Sequence, residues 1–429
     1  MALTSLFTAV SGMNANSIAL SVIGDNIANM NTTGFKSSRT SFGDILSSQM
    51  GESQVGRGVL TTAVTPQFNQ GTFENTANVL DMAVDGDGLF IMTDNAGTYY
   101  SRAGQFDMDS NGYVVNPSNQ RLQGFLYSAT GATTSGLGDI NISALNSSPS
   151  ATNNMTISAN LDSRASIPPA FAVGNASATS NFSSSITVYD SLGNGHIVDV
   201  YFRKSVEAGA GNTWQWFGVV GANDSLSGAT EVQASGTMTF TNNGALNTES
   251  AETYPLASGG FDFTGGAASG QVIDFDFGTS IVTDAGSGLD GTTQFGSPSA
   301  TIFQSQDGYA SGSLKSITVA QDGTITGIFT NGQTRAIAQV ALAKFAAPAN
   351  LQKMGKNLYA EATDSGQPVI SIPGTSGTGT VLSNTLEQSN VDLAEEFVRL
   401  IMSQRGFQAN SRMISTSDEL MMELVNLKR

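Results

Sequence analysis

Leu393, Leu400, Phe407, Ile414 and Met421 recur at strict seven-residue intervals near the end of the chain. That period belongs to an α-helix with a single apolar seam and has no counterpart in a strand, where side chains repeat every second residue. Phe397, Val398 and Ile401 flank the seam early, and Leu424 and Val425 flank it late. Ser389 with Asp392 three residues on is a capping-box pattern that predicts the helix start. Asp392, Glu395 and Glu396 then suit the positive end of the helix dipole, and Lys428 and Arg429 the negative end. The second seam position is read as polar through the middle, at Gln404, Gln408 and Ser411, which leaves a stripe one residue wide. Such a stripe suits a partner helix better than a broad core.

The other end is built the same way. Leu3, Leu6, Val10, Met13, Leu20 and Ile27 follow helical spacing, interrupted in the seam by Ser17 and Gly24. The two helices are expected to be on the order of 58 Å and 40 Å long, more than a small β domain covers. Their seams therefore need each other, or other copies of the chain.

Between about residues 51 and 380 the pattern changes to short alternating runs bounded by turn residues. Leu89-Phe90-Ile91-Met92, Ser185-Ile186-Thr187-Val188-Tyr189 and Ile197-Val198-Asp199-Val200-Tyr201-Phe202 read as strands. Ile317-Thr318-Val319 and Thr324-Ile325-Thr326, with Gln321-Asp322-Gly323 between them, read as a hairpin. The fold class is thus mainly β with long terminal α-helices, its nested, discontinuous β domains inserted between N- and C-terminal coiled-coil helices. No Lys or Arg occurs in 205–314, which marks a separate acidic domain. The expected division is 1–30 with 389–429 as the helical domain, 31–70 with 379–388 as a linker region, 71–149 with 301–378 as a first β domain, and 150–300 as a central one.

Composition excludes much of the usual chemistry. The 429 residues include no cysteine, so disulfides, thiol nucleophiles and cysteine-containing metal sites are ruled out. His196 is the sole histidine, and no cofactor or metal is expected. Lys and Arg number 18 against 35 acids, a net charge of −17 that opposes binding to nucleic acid. No run reads as the 18 or so apolar residues of a membrane span, and membrane insertion is not expected. The first residues lack the basic and apolar regions of a cleaved secretory leader.

Individual motifs have plain readings. Asp107-x-Asp109-x-Asn111-Gly112 opens like a calcium loop, but its twelfth position is Ser118 and its flanks look like strands, so it reads as a hairpin turn. Asp85-Gly86-Asp87-Gly88 reads as a bend. His196 reads as a surface hairpin histidine rather than part of a catalytic triad, and Trp214 and Trp216 as core packing rather than a sugar-stacking pair. The segment 24–36 is less ordinary: several Asn residues close an apolar helix, Gly34 permits a turn, and Phe35 follows as an aromatic anchor.

Asn26-Ile27-Ala28-Asn29-x-Asn31-Thr32-x-Gly34-Phe35-Lys36, preceded by Ala9-Val10-Ser11-Gly12-Met13, resembles the N-terminal signature of the flagellar rod, hook and hook-associated axial proteins. Leu386-Glu387, Ser389-Asn390-Val391-Asp392-Leu393-Ala394-Glu395-Glu396 and Gln404-Arg405-Gly406-Phe407-Gln408-Ala409-Asn410 match the C-terminal signature of the same family. Gly71-Thr72-Phe73, residues 78–84 and Tyr100-Ser101-Arg102-Ala103-Gly104-Gln105-Phe106 resemble its first β domain. Val188-Tyr189-Asp190-Ser191-Leu192-Gly193-Asn194-Gly195-His196 is similar to the central domain found in hooks and lacking in the shorter distal rod proteins.

The resemblance implies a non-enzymatic subunit that polymerises into a curved hollow tube, a universal joint between rod and filament and a channel for export. The signature residues and the seam residues of both helices would carry self-assembly, with Phe35 and Phe42 as anchors of the linker. The partners implied are other copies, the distal rod protein, the hook cap, the hook–filament junction proteins and the flagellar type III export apparatus. The location implied is the extracellular hook. A lysinoalanine crosslink of the kind some members form needs a cysteine and is not expected here. A distal rod protein and a secreted glycan-binding adhesin are the alternative readings.

Overall fold

The computed structural model describes residues 2–45, 57–128, 133–142, 146–206 and 212–426, and of 2–4, 133–135, 206 and 424–426 only the backbone. The side chains of Leu3, Leu424 and Val425, and the residues Lys428 and Arg429, therefore lie outside what is described. The chain forms two compact units: Met1–Leu145 with Leu314–Ile328 and Thr334–Arg429, and Asn146–Ser313 with Phe329–Gln333.

In the first unit, helix α1 (Ala2–Ala28) packs against helix α2 (Leu393–Asn426). Ser5 meets Ser417, Gly12 faces Asn410 and Asn16 faces Gly406, so the helices run antiparallel. At 1.5 Å per residue the 34 residues of α2 span about 51 Å. Its N-cap is Asp392, whose carboxylate accepts the backbone N–H of Ala394 at 2.8 Å and of Glu395 at 3.2 Å. The cap thus falls three residues after the Ser389 expected from the sequence, because a carboxylate at the first turn satisfies two free amides at once.

A β-hairpin, β1 (Ser38–Asp44) with β2 (Val59–Pro66), occupies much of the stretch read as linker. It is fastened to α1 through Ser11, whose hydroxyl accepts the Val59 N–H at 3.2 Å. An antiparallel sheet follows, with Leu314–Val319, Thr324–Phe329, Thr334–Val340, Arg121–Tyr127, Leu89–Asp94, Gly97–Ser101 and Leu358–Ala360 as successive neighbours. Leu89–Asp94 is buried on both faces: Leu89 and Ile91 pack with Tyr100, Phe345 and Tyr359, while Phe90 and Met92 pack with Met82, Phe106 and Leu122. An unbroken apolar run is what a central strand of this kind requires. Two short pairs then join distant parts of the chain, Met82–Asp85 with Thr380–Ser383 and Phe73–Asn75 with Thr385–Glu387.

The second unit is all β. Phe182–Tyr189, Gly195–Val206, Asn212–Val220, Glu231–Phe240 and Leu246–Glu249 form an antiparallel meander, and Asp274–Asp276, Asn154–Asn160 and Ala300–Gln306 a smaller sheet. Inward-facing residues alternate along the strands as period two demands, and the core gathers Phe202, Trp214, Trp216, Phe261, Phe275 and Phe277. Both tryptophans are buried, with Trp216 stacked 4.5 Å from Phe275, so neither offers a face to a sugar. Asp109 accepts the N–H groups of Asn111 and Tyr113 in the first unit, closing the turn expected there.

Three expectations need correction. His196 is 3% exposed rather than on the surface: its ring stacks on Phe263 at 4.4 Å, with Nε2 3.0 Å from Asp190 Oδ2 and Nδ1 3.3 Å from Asp224 Oδ1. Both ring nitrogens are thereby committed to carboxylates. Helix α1 is long and apolar enough over Ser5–Ala28 to cross a membrane by length and composition, because its polar residues are small and uncharged up to Asp25. Phe42 is not an anchor within the chain but stands 47% exposed on β1.

Glu249, at the end of its strand, has a buried Oε1 without a hydrogen-bond partner. Burial first, then Asp284, Asp276 and Glu252, push its carboxyl up to about 8. A carboxyl raised on folding stabilises the fold below its unfolded pKa of 4.5 and loses that contribution as pH rises through about 8. The second unit is therefore expected to melt at progressively lower temperature between about pH 5 and 8. In Glu249→Gln that slope disappears, as read from the fluorescence of Trp214 and Trp216, the only tryptophans in the chain.

Candidate assembly site

The signature residues at the two ends of the chain meet in one place. Past Ala28 the turn is closed by Asn29, whose backbone carbonyl accepts the Thr32 N–H at 3.1 Å and whose Oδ1 accepts the Thr32 hydroxyl at 3.2 Å. Asn26 is buried and uses its amide as a strand would: Oδ1 accepts the Ser38 N–H at 2.8 Å and Nδ2 donates to the Ser38 carbonyl at 2.9 Å. That reciprocal pair fixes the start of β1 against α1. Gly34 has φ +67°, and a Cβ there would lie 2.5 Å from the Ala103 nitrogen, so only glycine fits. Phe35 is buried beneath it, with Lys353 Nζ 5.7 Å from the ring centre.

Lys36 and Glu387 are fully buried. Lys36 Nζ donates to Glu387 Oε1 at 2.7 Å and to the Asn69 carbonyl at 2.8 Å, and the same Oε1 accepts the Gly71 N–H at 2.8 Å. Arg102 Nε lies 3.7 Å from Glu387 Oε2, and the Gly34 N–H donates to the Glu387 carbonyl at 2.7 Å. Burial pushes the Lys36 ammonium below the ordinary lysine value, against the pull of Glu387, and depresses Arg102 in the same way. Next to this cluster Asn390 accepts the Ser37 N–H and donates to the carbonyls of Gln67 and Asn69.

Of the residues singled out from the sequence, Asn26, Asn29, Thr32, Gly34, Phe35 and Lys36 come together here. Ala28 and Asn31 face outward. The helix seams are placed differently from expectation. Along α1 the buried residues are Ala9, Gly12, Ala15, Ala19, Ile23 and Asn26, mostly small, while Leu6, Met13, Leu20 and Ile27 are half-buried and Val10 is exposed. Small residues let the backbones approach: a Cβ on Gly12 would fall 2.6 Å from Asn410 Nδ2. On α2, Leu393, Leu400, Phe407 and Ile414 are half-buried, with Val391 half-buried ahead of them, whereas Phe397, Ile401 and Met421 are exposed. The second seam position falls at Glu396, Ser403, Asn410 and Ser417, not at Gln404, Gln408 and Ser411. Contacts across the pair fix that position, since Asn410 lies against Gly12 and Ser417 meets Ser5 of α1.

Glu387, Arg102 and Asn390 stand in the sequence only as matches to the family signatures, with no role of their own assigned to them. The available signal was charge among small and apolar neighbours in a chain poor in cations.

Glu387→Gln keeps the shape of the cluster but leaves Lys36 buried without a counter-ion and removes the strongest acid acting on Arg102, at an expected cost of about 3–5 kcal/mol. Calorimetry of the full chain should show the melting of the first unit shifted down, while tryptophan fluorescence reports an unchanged second unit; superimposable traces contradict the assignment.

Comparison with known proteins covers the chain from end to end. Residues 6–36 match the family described as flagella basal body rod protein, 83–160 the flagellar hook protein FlgE/F/G D1 domain, 160–309 the flagellar basal body protein FlaE D2 domain, and 382–427 the flagellar basal body rod FlgEFG protein C-terminal family. Flagellar hook protein FlgE of Borreliella burgdorferi is 33% identical over 99% of this chain and 99% of its own. The protein of the same name from Treponema pallidum is 33% identical with the same coverage, and that of Escherichia coli 35% identical over 98% of this chain and 99% of its own. With relatives from such different bacteria aligned through both helical ends and the central β unit, this chain belongs to the flagellar hook protein family.

Proposed function

We propose that this hook subunit polymerises through α1 and α2 into a hollow tube. The observation that carries the reading is the apolar surface left uncovered on the two helices: Phe7 is 67% exposed and Met402 69%, with Ile18, Val398, Ile401, Leu420 and Met422 also open. Apolar surface of this extent on paired terminal helices marks an interface, and other copies are the partners that repeat it. Leu6, Val10, Met13, Leu20 and Ile27 on α1, and Phe397, Ile401 and Met421 on α2, are the side chains assigned to those contacts. Asn26, Asn29, Thr32, Gly34, Phe35 and Lys36 hold the helices to the β regions. In this reading 1–30 with 389–429 form the inner tube, 31–70 with 379–388 join it to the β domains, and 150–300 lies outermost.

The tube is curved and acts as a universal joint that passes motor torque from rod to filament while its bore carries exported subunits. Polar surfaces rich in Ser, Thr, Asn and Gly support that use, since wet contacts re-form at low cost. Neighbours in the flagellum are the distal rod protein, the hook cap, the hook–filament junction proteins and the export apparatus. The subunit performs no reaction in this reading, in keeping with a histidine committed on both nitrogens to carboxylates. A distal rod role is not favoured, because hook proteins align over 98% or more of the chain.

Removal of residues 400–429 is expected to leave both β regions folded and to abolish polymer formation. Electron micrographs of the truncated protein showing tubes like those of the full chain would overturn the reading.

A further inference from the structure

The meander of the second unit ends at the strand Leu246–Glu249, and a loop, residues 279–291, lies along its outer edge. The Leu246 N–H donates to the Gly288 carbonyl at 2.8 Å, and the carbonyls of Leu246 and Asn247 accept the N–H groups of Ile281 and Val282 at 3.1 and 2.9 Å. The Glu249 N–H donates to the Thr283 hydroxyl at 3.2 Å. A sheet edge left bare is a template for another chain, which gives the cover its purpose. The approach is close: Gly288 has φ +70°, and a Cβ there would lie 2.4 Å from the Leu246 carbonyl oxygen. The loop keeps its shape through its own acids, Asp284 accepting the N–H and hydroxyl of Ser280, and Asp290 those of Thr279.

Glu249 closes the covered strand, and its Oε1 is buried with no hydrogen-bond partner. The charged groups that bear on it are all acids: Asp284 from the loop, Asp276 from the strand Asp274–Asp276, and Glu252 from just beyond its own strand. The neighbouring strand sets the uncharged Met238 opposite it. From 205 to 314 the chain has neither lysine nor arginine with which to compensate. A protonated carboxyl sits in such surroundings at little cost, whereas a carboxylate is both desolvated and repelled. Opening the loop relieves both, because it admits water and carries Asp284 away. We propose that residues 279–291 are a pH-sensitive flap, closed over the edge of the meander while Glu249 is protonated and released when Glu249 ionises. Release bares the Leu246 N–H and the carbonyls of Leu246 and Asn247. The device is built into the single subunit and needs no neighbour.

The test is hydrogen exchange of the full chain, read by mass spectrometry from about pH 6 to 9 with the intrinsic exchange rate divided out. Opening at the peptides that hold Leu246, Ile281, Val282 and Gly288 should rise about tenfold per pH unit until about pH 8, where the Glu249 carboxyl titrates, and level off above it. The strand Asn212–Val220 should keep its protection throughout. Glu249→Gln should stay closed across the whole range. Gly288→Ala, whose methyl meets the Leu246 oxygen, should hold the flap open already at the acid end. Fluorescence of Trp214 and Trp216 checks that each variant is folded. The inference falls if the unaltered chain stays protected to the alkaline end, if Glu249→Gln opens with pH as the unaltered chain does, or if Gly288→Ala exchanges no faster at the acid end. It falls equally if Asn212–Val220 loses protection together with the flap, since the unit then opens as a whole.

Discussion

A single carboxylate holds the first unit together. Glu387 is reached by Lys36 from just past the first helix, by the Gly71 amide, and by Arg102 from within the β region, while its own carbonyl takes the Gly34 amide. A buried ion cluster is a poor source of net stability, since desolvation offsets most of the attraction. What it supplies is a shared acceptor: the Lys36 ammonium and the Gly71 amide meet on Oε1, and the Gly34 amide on the carbonyl of the same residue. The segment just past α1, the strand start near Gly71 and the segment ahead of α2 are therefore joined at one point.

The helical pair follows a related logic. Its closest approaches are made at glycines, with Asn410 of α2 set against Gly12 and Asn16 of α1 set against Gly406. Small residues contribute little burial, so the pair is narrow and sheds its larger apolar side chains to the outside. A monomer built this way is incomplete on purpose. The chain belongs to the hook protein family, and the exposed apolar side chains of its helices are the surface proposed above for contacts between copies.

Much of this was legible in the sequence. Strict seven-residue spacing announced α2, and the Leu89–Met92 run announced a central strand. Other features were not legible because they depend on which residues meet. The seam of α1 looked like Leu6, Met13 and Leu20, but close approach selects the smallest side chains, Ala9, Gly12, Ala15 and Ala19, and pattern reasoning favours the largest. His196 looked exposed beside an Asn-Gly turn, yet an aromatic face and two carboxylates supplied by the fold drew it inside. Lys36 and Glu387 lie 351 residues apart, and no local pattern connects them.

The strand pairs formed by Phe73–Asn75 with Thr385–Glu387 and Met82–Asp85 with Thr380–Ser383 bear on when the chain can fold. Contacts between such distant segments must close a very long loop before they return any stability, and they require nearly the whole polypeptide to be present. A partly delivered chain has no Glu387 to satisfy Lys36 and no partner for its first short strands. Those two short pairs and the Glu387 contacts therefore close only when the segment ahead of α2 is present.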